Sequence, residues 1–362
     1  MPKKSLLIII DNLKKGGAEV LLIGILPELN QKFNVILVTL SKGCDFKEDQ
    51  IICSKRYNLG FKGKLSFISC VFKLKKIIKK HQPSLVHSHL IYSSLAARLA
   101  CPSSIPLLYS IHNKLSETDF NNSKLLTFIE KATIKKNHFI AAVSDVVLED
   151  YENTIGKTEK KFILKNYISD EYFLNSLHSR SFNQLKKIKL IAVGNIKWAK
   201  NYEYLVQSFM HLKNFPVSLD IFGDTHYHLF AELKSLIERN SLPVFFKGAV
   251  SNVKDILPTY DLYIMSSRNE GFGIAVVEAM GSGLPVLLSD IPVLREVTQG
   301  NALFFDLNDL KALSGLLKEI LSGKHNLNAF SENGVRIAKQ YTKQKYLETL
   351  FSIYGKIMNA HY

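Results

Sequence analysis

The amino-acid sequence predicts an α/β protein made of two doubly wound parallel layers. Three observations carry this. Short apolar runs alternate with amphipathic helical patterns along the whole chain, as parallel strands joined by crossover helices do. At 362 residues the chain is long for one core and of the right size for two ordinary domains. The stretch from Asn166 to Lys187 is polar and irregular, and it separates one array from the other.

In the first array, residues 6–10, 35–40, 85–87, 107–110 and 139–143 read as buried parallel strands, being near-continuous runs of Leu, Ile, Val and Phe. Helices are expected around 20–29, 67–80, 94–100 and 125–136. Ser144 reads as an N-cap for a helix over 145–151, with Asp145 and Glu149 favourable near that end. The second array begins at Ile188. Its strands are expected at 189–193, 217–222, 244–246, 262–265, 286–289 and 303–305. Its helices are expected at 202–212, 228–240, 253–257, 274–281, 292–297, 309–321 and 326–340. Pro292 in a first helical turn and Gly323 beyond a helix end follow the usual asymmetry of helix termini. A last amphipathic helix, 343–358, is expected to cross back and brace the first domain. The expected domains are therefore 1–170, a linker at 171–187, 188–340, and a returning segment at 341–362.

Composition narrows the setting. A hydrophobic fraction of 46% and a charged fraction of 22% are those of a soluble globular protein. No apolar run approaches the roughly 18–20 residues that span a bilayer. The apolar run Leu6–Ile10 after the lysines at the start is cut off by Asp11, so it reads as a first strand and not an export signal, which predicts a cytoplasmic protein. Cys44, Cys53, Cys70 and Cys101 have no paired spacing and are expected as free thiols. The net charge of +15 leaves nucleic acid, membrane and anionic substrates open as partners. Much of the excess is lysine around LSFISCVFKLKKIIKK. On a helix, Leu65, Ile68, Phe72 and Lys76 share one side, while Phe67, Val71, Leu74 and Ile78 form an adjoining apolar face. With Lys73, Lys75, Lys76, Lys79 and Lys80 this is a basic amphipathic helix suited to an anionic membrane surface. The plain alternative is a domain helix with solvated lysines, and both can hold for one helix. Few aromatics interleave with these lysines and no nucleic-acid motif appears, so no nucleic-acid partner is expected.

The chemistry concentrates in Ser266–Pro285, SSRNEGFGIAVVEAMGSGLP. It reads as the end of a buried strand, a glycine-bearing loop and a helix from Ile274. Glu270 falls in the loop and Glu278 in the helix, eight positions on. Gly271 and Gly273 leave the backbone bare at the helix entrance, where free N–H groups and the positive end of the helix dipole attract phosphate. Two acids flanking an anion site suit a ligand with a diphosphate in its middle and hydroxyl-rich groups at both ends, such as a nucleotide-sugar. Lys197 and Lys200 lie in the loop after strand 189–193, at the same sheet mouth by the rule that ligands gather at strand C-termini. A lysine there can neutralise a leaving diphosphate. In the first array, Gly16 and Gly17 form a tight turn before a helix, and His112 stands just past a strand's carboxyl end. His87 and His89 are expected to point to opposite faces of their strand and not to share a metal.

With these residues in order, the sequence resembles family-4 retaining glycosyltransferases of the GT-B architecture, two facing Rossmann-like doubly wound domains with a cleft between them. The likeness runs nearly end to end. It is sharpest over Gly248–Glu296, which holds a Glu-x7-Glu pair as Glu270 and Glu278, and it includes GGAE at Gly16–Glu19, the SIH at His112, the AVS at Ser144 and the Lys200 loop. The resemblance implies that Glu270 holds the transferred sugar's hydroxyls and Glu278 the nucleotide ribose. It implies that Phe272 and Gly273 offer backbone N–H to the diphosphate, that Lys200 offsets charge on the leaving phosphate, and that Gly17 lines the cleft. His112 then sits by the sugar at the reacting carbon, and Val250 near the base. One departure stands out. Where the family has Gly-Arg, this chain has Gly194-Asn195, which removes a bidentate phosphate clamp. Lys197 and Arg268 are the candidate compensating cations.

The implied reaction is metal-independent hexosyl transfer with retention, from a nucleotide-sugar to a glycan or lipid-linked acceptor in bacterial cell-surface polysaccharide or lipopolysaccharide synthesis. No cofactor is expected beyond the donor itself. The implied location is peripheral, on the inner face of the cell membrane. A nucleotide-sugar 2-epimerase and a non-catalytic nucleotide-sugar- or glycan-binding subunit stand as alternatives. The first would convert donor without any acceptor.

Overall fold

The computed structural model describes residues 3–117, 123–174, 181–182, 185–225 and 229–359. The chain divides into two compact units, Met1–Asn166 with Lys343–Tyr362, and Tyr167–Thr342. The stretch read as a linker falls in the second unit. Its described part forms a single 3-10 turn, Asp170–Phe173, while residues 175–180 and 183–184 lie outside the described residues, as does His228 at an expected helix start.

The first unit carries a seven-stranded parallel sheet. Its strands are β1 (Ser5–Ile10), β2 (Asn34–Thr39), β3 (Lys55–Asn58), β4 (Leu85–His89), β5 (Leu107–Ile111), β6 (His138–Ala142) and β7 (Lys161–Ile163), in the order β3-β2-β1-β4-β5-β6-β7. The central strands are buried along their length because crossover helices cover both faces. The helices are α1 (Gly17–Lys32), α2 (Lys64–His81), α3 (Ile91–Ala100), α4 (Lys124–Thr133) and α5 (Asp145–Thr154). The edge strands β3 and β7 did not figure among the expected strands. Strand β3, KRYN, is short and polar, as edges that discourage pairing with other chains usually are, and β7, KFI, is only three residues long, too brief to leave a hydrophobic pattern.

The second unit has a six-stranded parallel sheet of β8 (Ile188–Val193), β9 (Val217–Phe222), β10 (Val244–Gly248), β11 (Leu262–Met265), β12 (Val286–Ser289) and β13 (Leu303–Phe305), ordered β10-β9-β8-β11-β12-β13. Its helices are α6 (Tyr202–Phe209), α7 (Leu229–Asn240), α8 (Val253–Ile256), α9 (Ile274–Gly281), α10 (Pro292–Thr298), α11 (Ala312–Leu321) and α12 (Leu327–Ala338). In each sheet the strand order reverses direction beside the first strand, β1 or β8. That places a switch point at the C-terminal ends of β1 and β4, and of β8 and β11.

The last helix, α13 (Lys343–Asn359), belongs to the first unit, where it buries Tyr346, Leu350, Ile353, Tyr354, Ile357 and Met358. Tyr354 meets Phe33 edge-on at 5.8 Å, and Lys343 pairs with Glu28 at 2.6 Å. Helix α2 divides into two faces. Cys70, Leu74 and Ile78 are buried, with Phe67, Val71 and Ile77 packed beside them. Leu65, Ile68 and Phe72 are 100%, 67% and 62% exposed, so this second apolar stripe has no covering in the unit. The four cysteines are unpaired. Among the described residues, no helix is long and apolar enough to cross a membrane.

Candidate functional site

In the second unit the expected site residues gather where β8 and β11 end. Strand β8 runs into a loop with one 3-10 turn, Trp198–Lys200. Hydrogen bonds strap this loop to the segment after β11. The Ser266 hydroxyl is shared between the carbonyls of Lys200 and Asn201 at 3.0 Å each. The Arg268 N–H donates to the Ala199 carbonyl at 2.8 Å and its guanidinium to the Trp198 carbonyl at 2.9 Å. The strap brings Lys200 Nζ to 2.7 Å from Glu270 Oε1, and the Ser267 hydroxyl donates to the same oxygen at 2.7 Å. Both side chains are largely enclosed, 24% and 13% exposed, so the pair is less screened than a surface ion pair.

Asn195 has a different task. Its side-chain oxygen accepts the Asp224 N–H at 3.0 Å, tying the loop after β8 to the loop after β9. The two backbones nearly touch there, since a Cβ on Gly223 would fall 2.0 Å from the Gly194 carbonyl oxygen. The carboxamide thus staples the turn and adds no charge. Of the two candidate compensating cations, Arg268 lies 5.0 Å over the Trp198 ring and 3.8 Å from Glu203, committed to the loop, while Lys197 is exposed at its start. The cation at the carboxylate is Lys200 itself.

The chain continues through buried Gly271 and Phe272 to Gly273, the N-cap of α9. Phe272 anchors this turn by packing edge-on against Tyr341 at 5.3 Å. Gly273 adopts φ 88°, and no side chain caps the helix. Its entrance, a few residues after Glu270, is therefore without a side-chain cap. Farther along α9, Glu278 shares a hydrogen bond with the Tyr172 hydroxyl from the 3-10 turn Asp170–Phe173. Burial pushes its carboxyl up to about 7, against the lowering effect of that bond. Val250 lies half-buried in the loop between β10 and α8.

The remaining expected residues lie in the first unit. Gly16 caps α1 and Gly17 begins it. A Cβ at Gly16 would come within 2.5 Å of Glu19 Oε2, so the bare turn lets a buried glutamate fold over the helix start. His112 follows β5 and lines a cavity of about 150 Å³ with Asp11, Tyr92, Ser110 and Asn113. His87 and His89 do not point apart. Their ring centroids are 4.2 Å from each other, because residues i and i+2 of a strand share a face. Ser110 and His112 join that face from β5: His87 Nε2 is 2.8 Å from Ser110 Oγ, and His89 Nδ1 is 3.1 Å from His112 Nε2. Burial lowers His87 to about 3 and His112 to about 4, so both rings are neutral at pH 7. Among the described residues, no three His, Cys, Asp or Glu side chains are grouped so as to hold a metal ion.

Residues 15–170 match the family described as Glycosyltransferase Family 4, and residues 175–336 match Glycosyl transferases group 1. The chain belongs to the glycosyltransferases of the GT-B fold. This glycosyltransferase is 24% identical to a Bacillus subtilis protein named as a glycosyltransferase, EpsF, over 80% of this chain and 79% of that one. It is 24% identical to the O-antigen chain mannosyltransferase RfbU of Salmonella typhimurium, over 53% of this chain and 54% of that one. Among solved structures, Anabaena HepE in complex with UDP superposes with a TM-score of 0.80 at 19% identity, covering 96% of this chain and all of that one. The lipopolysaccharide outer core galactosyltransferase WaaB superposes at 0.77 with 16% identity, covering 97% and 99%.

Four residues that touch the candidate site residues or line their cavity escaped sequence reasoning. Ser267 and Tyr172 contact the two acids, and Asp11 and Ser110 line the cavity. Asp11 and Ser110 had a usable signal, since each stands at the C-terminal end of a central strand. Tyr172 had none, because its position depends on how a polar segment folds back over α9.

Proposed function

We propose that this protein is a retaining hexosyltransferase that uses a nucleoside-diphosphate sugar to build a bacterial cell-surface polysaccharide or lipopolysaccharide. The observation that carries the reading is the Lys200–Glu270–Ser267 cluster at the uncapped entrance of α9. Glu270 spends one oxygen on Lys200 and Ser267, which fixes the carboxylate and leaves the other to accept hydroxyls of the transferred sugar. The N–H groups of Phe272 and Gly273 meet the diphosphate. Lys200 offsets the charge that grows on it as the bond to the anomeric carbon breaks. Glu278 takes the ribose diol. In the transfer, the C1–O bond to the diphosphate breaks and a C1–O bond to the acceptor forms on the same face. The acceptor's hydroxyl proton passes to the leaving phosphate oxygen. Cation and backbone supply the stabilisation, so the step needs no divalent ion and no cofactor. The complexes of HepE with UDP and UDP-glucose, and the named mannosyl and galactosyl relatives, support a nucleotide-sugar donor and a glycan or lipid-linked acceptor.

The exposed stripe of α2 supports work at the inner surface of an anionic membrane. Leu65, Ile68 and Phe72 lie open beside exposed Lys75, Lys76, Lys79 and Lys80, with apolar anchors and cations on one helix. Lys73 contributes less, because its ammonium donates to the Leu59 carbonyl at 2.8 Å.

The test is a panel of nucleotide-sugars scored by thermal shift and by nucleoside-diphosphate release with and without glycan acceptors. Acceptor-dependent release by one donor supports the reading. A new nucleotide-sugar formed from donor alone identifies an epimerase, and binding without turnover identifies a binding subunit. For the membrane part, replacing Lys75, Lys76, Lys79 and Lys80 by Gln should cut sedimentation with phosphatidylglycerol vesicles, and undiminished binding defeats it.

A further inference from the structure

The cavity of the first unit is backed by buried imidazoles whose hydrogens can be placed by counting partners. Tyr354, on α13, is 1% exposed, and its hydroxyl lies 2.6 Å from His87 Nδ1, its one hydrogen-bond partner among the described residues. A buried hydroxyl hydrogen with no other acceptor is donated there, because leaving it unpaired costs its full desolvation. His87 Nδ1 is then the bare nitrogen. Its hydrogen sits on Nε2 and is donated to Ser110 Oγ at 2.8 Å. Ser110 accepts from behind and keeps its own hydrogen for the cavity it lines.

The second pair is ordered by the same count. His89 Nε2 is buried and has no hydrogen-bond partner among the described residues, while His89 Nδ1 faces His112 Nε2 at 3.1 Å. A buried bare lone pair is better tolerated than a buried unpaired N–H. His89 therefore carries its hydrogen on Nδ1 and donates it to His112 Nε2. His112 is neutral at pH 7, which leaves its one hydrogen on Nδ1. Across the cavity, Asp11 Oδ1 accepts the Ser93 N–H at 2.7 Å and the Ser93 hydroxyl at 2.5 Å, the carboxylate also accepts the Tyr92 N–H, and with about four lone-pair sites it has one left over.

We propose that His89 and Tyr354 are positioning residues that set the hydrogen order of this cavity. It then meets its ligand with the His112 Nδ1–H and Ser110 O–H on one side and the Asp11 carboxylate on the other. A ligand that matches this pattern accepts at one edge and donates a hydroxyl hydrogen at the other, as a pyranose does. Naming the ligand rests on the glycosyltransferase reading; the hydrogen order rests on the first unit alone.

The experiment is a two-bond proton–nitrogen spectrum of the full chain labelled with nitrogen-15 at histidine, ligand-free at pH 7.5, assigned with single His→Gln variants. The expected spectrum shows His89 and His112 protonated on Nδ1 and His87 on Nε2. Tyr354→Phe should release His87 from its single tautomer, and His89→Phe should release His112. With the donor that turns over in the panel, Tyr354→Phe should lower kcat/KM by about tenfold, the worth of one neutral hydrogen bond. A His112 protonated on Nε2 in the wild type overturns the proposal, as do tautomers that both variants leave unchanged. Should His89→Phe fail to fold, the wild-type spectrum and Tyr354→Phe still decide. A panel without transfer beside the expected spectrum would sink the functional reading and leave the hydrogen order standing.

Discussion

Glu270 and Glu278 are two carboxylates in opposite circumstances. Glu270 has a cation at 2.7 Å and a serine hydroxyl on the same oxygen, whereas Glu278 is enclosed with a tyrosine and its carboxyl rises to about 7. A folded value above the unfolded 4.5 favours the fold while the group is protonated, and that contribution fades as pH rises through about 7. Glu278→Gln should therefore raise the thermal midpoint relative to wild type at pH 8, with the gain shrinking by pH 5. The energy at stake is on the order of 3 kcal/mol. Thermal melts across that range check it. A ribose diol needs the charged carboxylate as acceptor, so nucleotide affinity, read by calorimetry, should rise from pH 6 to pH 8. At Glu270 the prediction is kinetic. Glu270→Ala should lower transfer by at least about 100-fold, the scale of losing a placed polar group at the reacting centre. Far-UV circular dichroism should stay unchanged, because the loop is held by Ser266 and Arg268. Glu270 and Glu278 are legible in the sequence from their spacing. Their contrasting electrostatics are not, because Lys200, Ser267 and Tyr172 reach them only through folding.

Among the elements, α9 shows how one glycine fixes the entrance of a short helix. Gly273 has φ 88°, and a Cβ there would lie 2.9 Å from Leu294 Cδ2, so the turn into the helix admits glycine and little else. Gly273→Ala should cost about 1–2 kcal/mol from the left-handed backbone alone, more with the clash, as read by urea unfolding. It should also weaken nucleotide binding by displacing the backbone donors. An ordinary cap gives the comparison. Ser144 Oγ accepts the Val147 N–H at 3.2 Å at the start of α5, and Ser144→Ala should cost about 1 kcal/mol. The buried central strands and most helices could be read from the sequence because burial on both faces or on one stripe leaves a periodic record. Strands β3 and β7 could not, since an edge strand with solvent beside it has no such constraint.

Across the whole molecule, the chain's last helix completes its first unit. Removing α13 would expose six buried side chains, on the order of 10 kcal/mol of burial, comparable to the whole stability of a domain. A chain ending at Thr342 should keep one cooperative calorimetric transition, from the second unit, and lose that of the first. Acid should distinguish the units as well. His87, His112 and His138 are lowered by burial to about 3, 4 and 3, so their contribution is present above the unfolded value of 6.5 and is lost as pH falls toward those values. Glu278 in the second unit runs the other way, and calorimetry at pH 5 and pH 7.5 should show the first unit losing more on acidification. The sequence by itself determined the α/β class, the two parallel arrays and the acids, lysine and glycines of the candidate site after β8 and β11, because strand burial and helix entry act on neighbouring residues. Tertiary structure alone decided that His87 and His89 share a face with Ser110 and His112, that Asn195 staples a turn, and that Tyr354 and Tyr172 reach their partners. Those contacts join residues far apart in the chain, and a one-dimensional pattern carries no record of which distant side chains will meet.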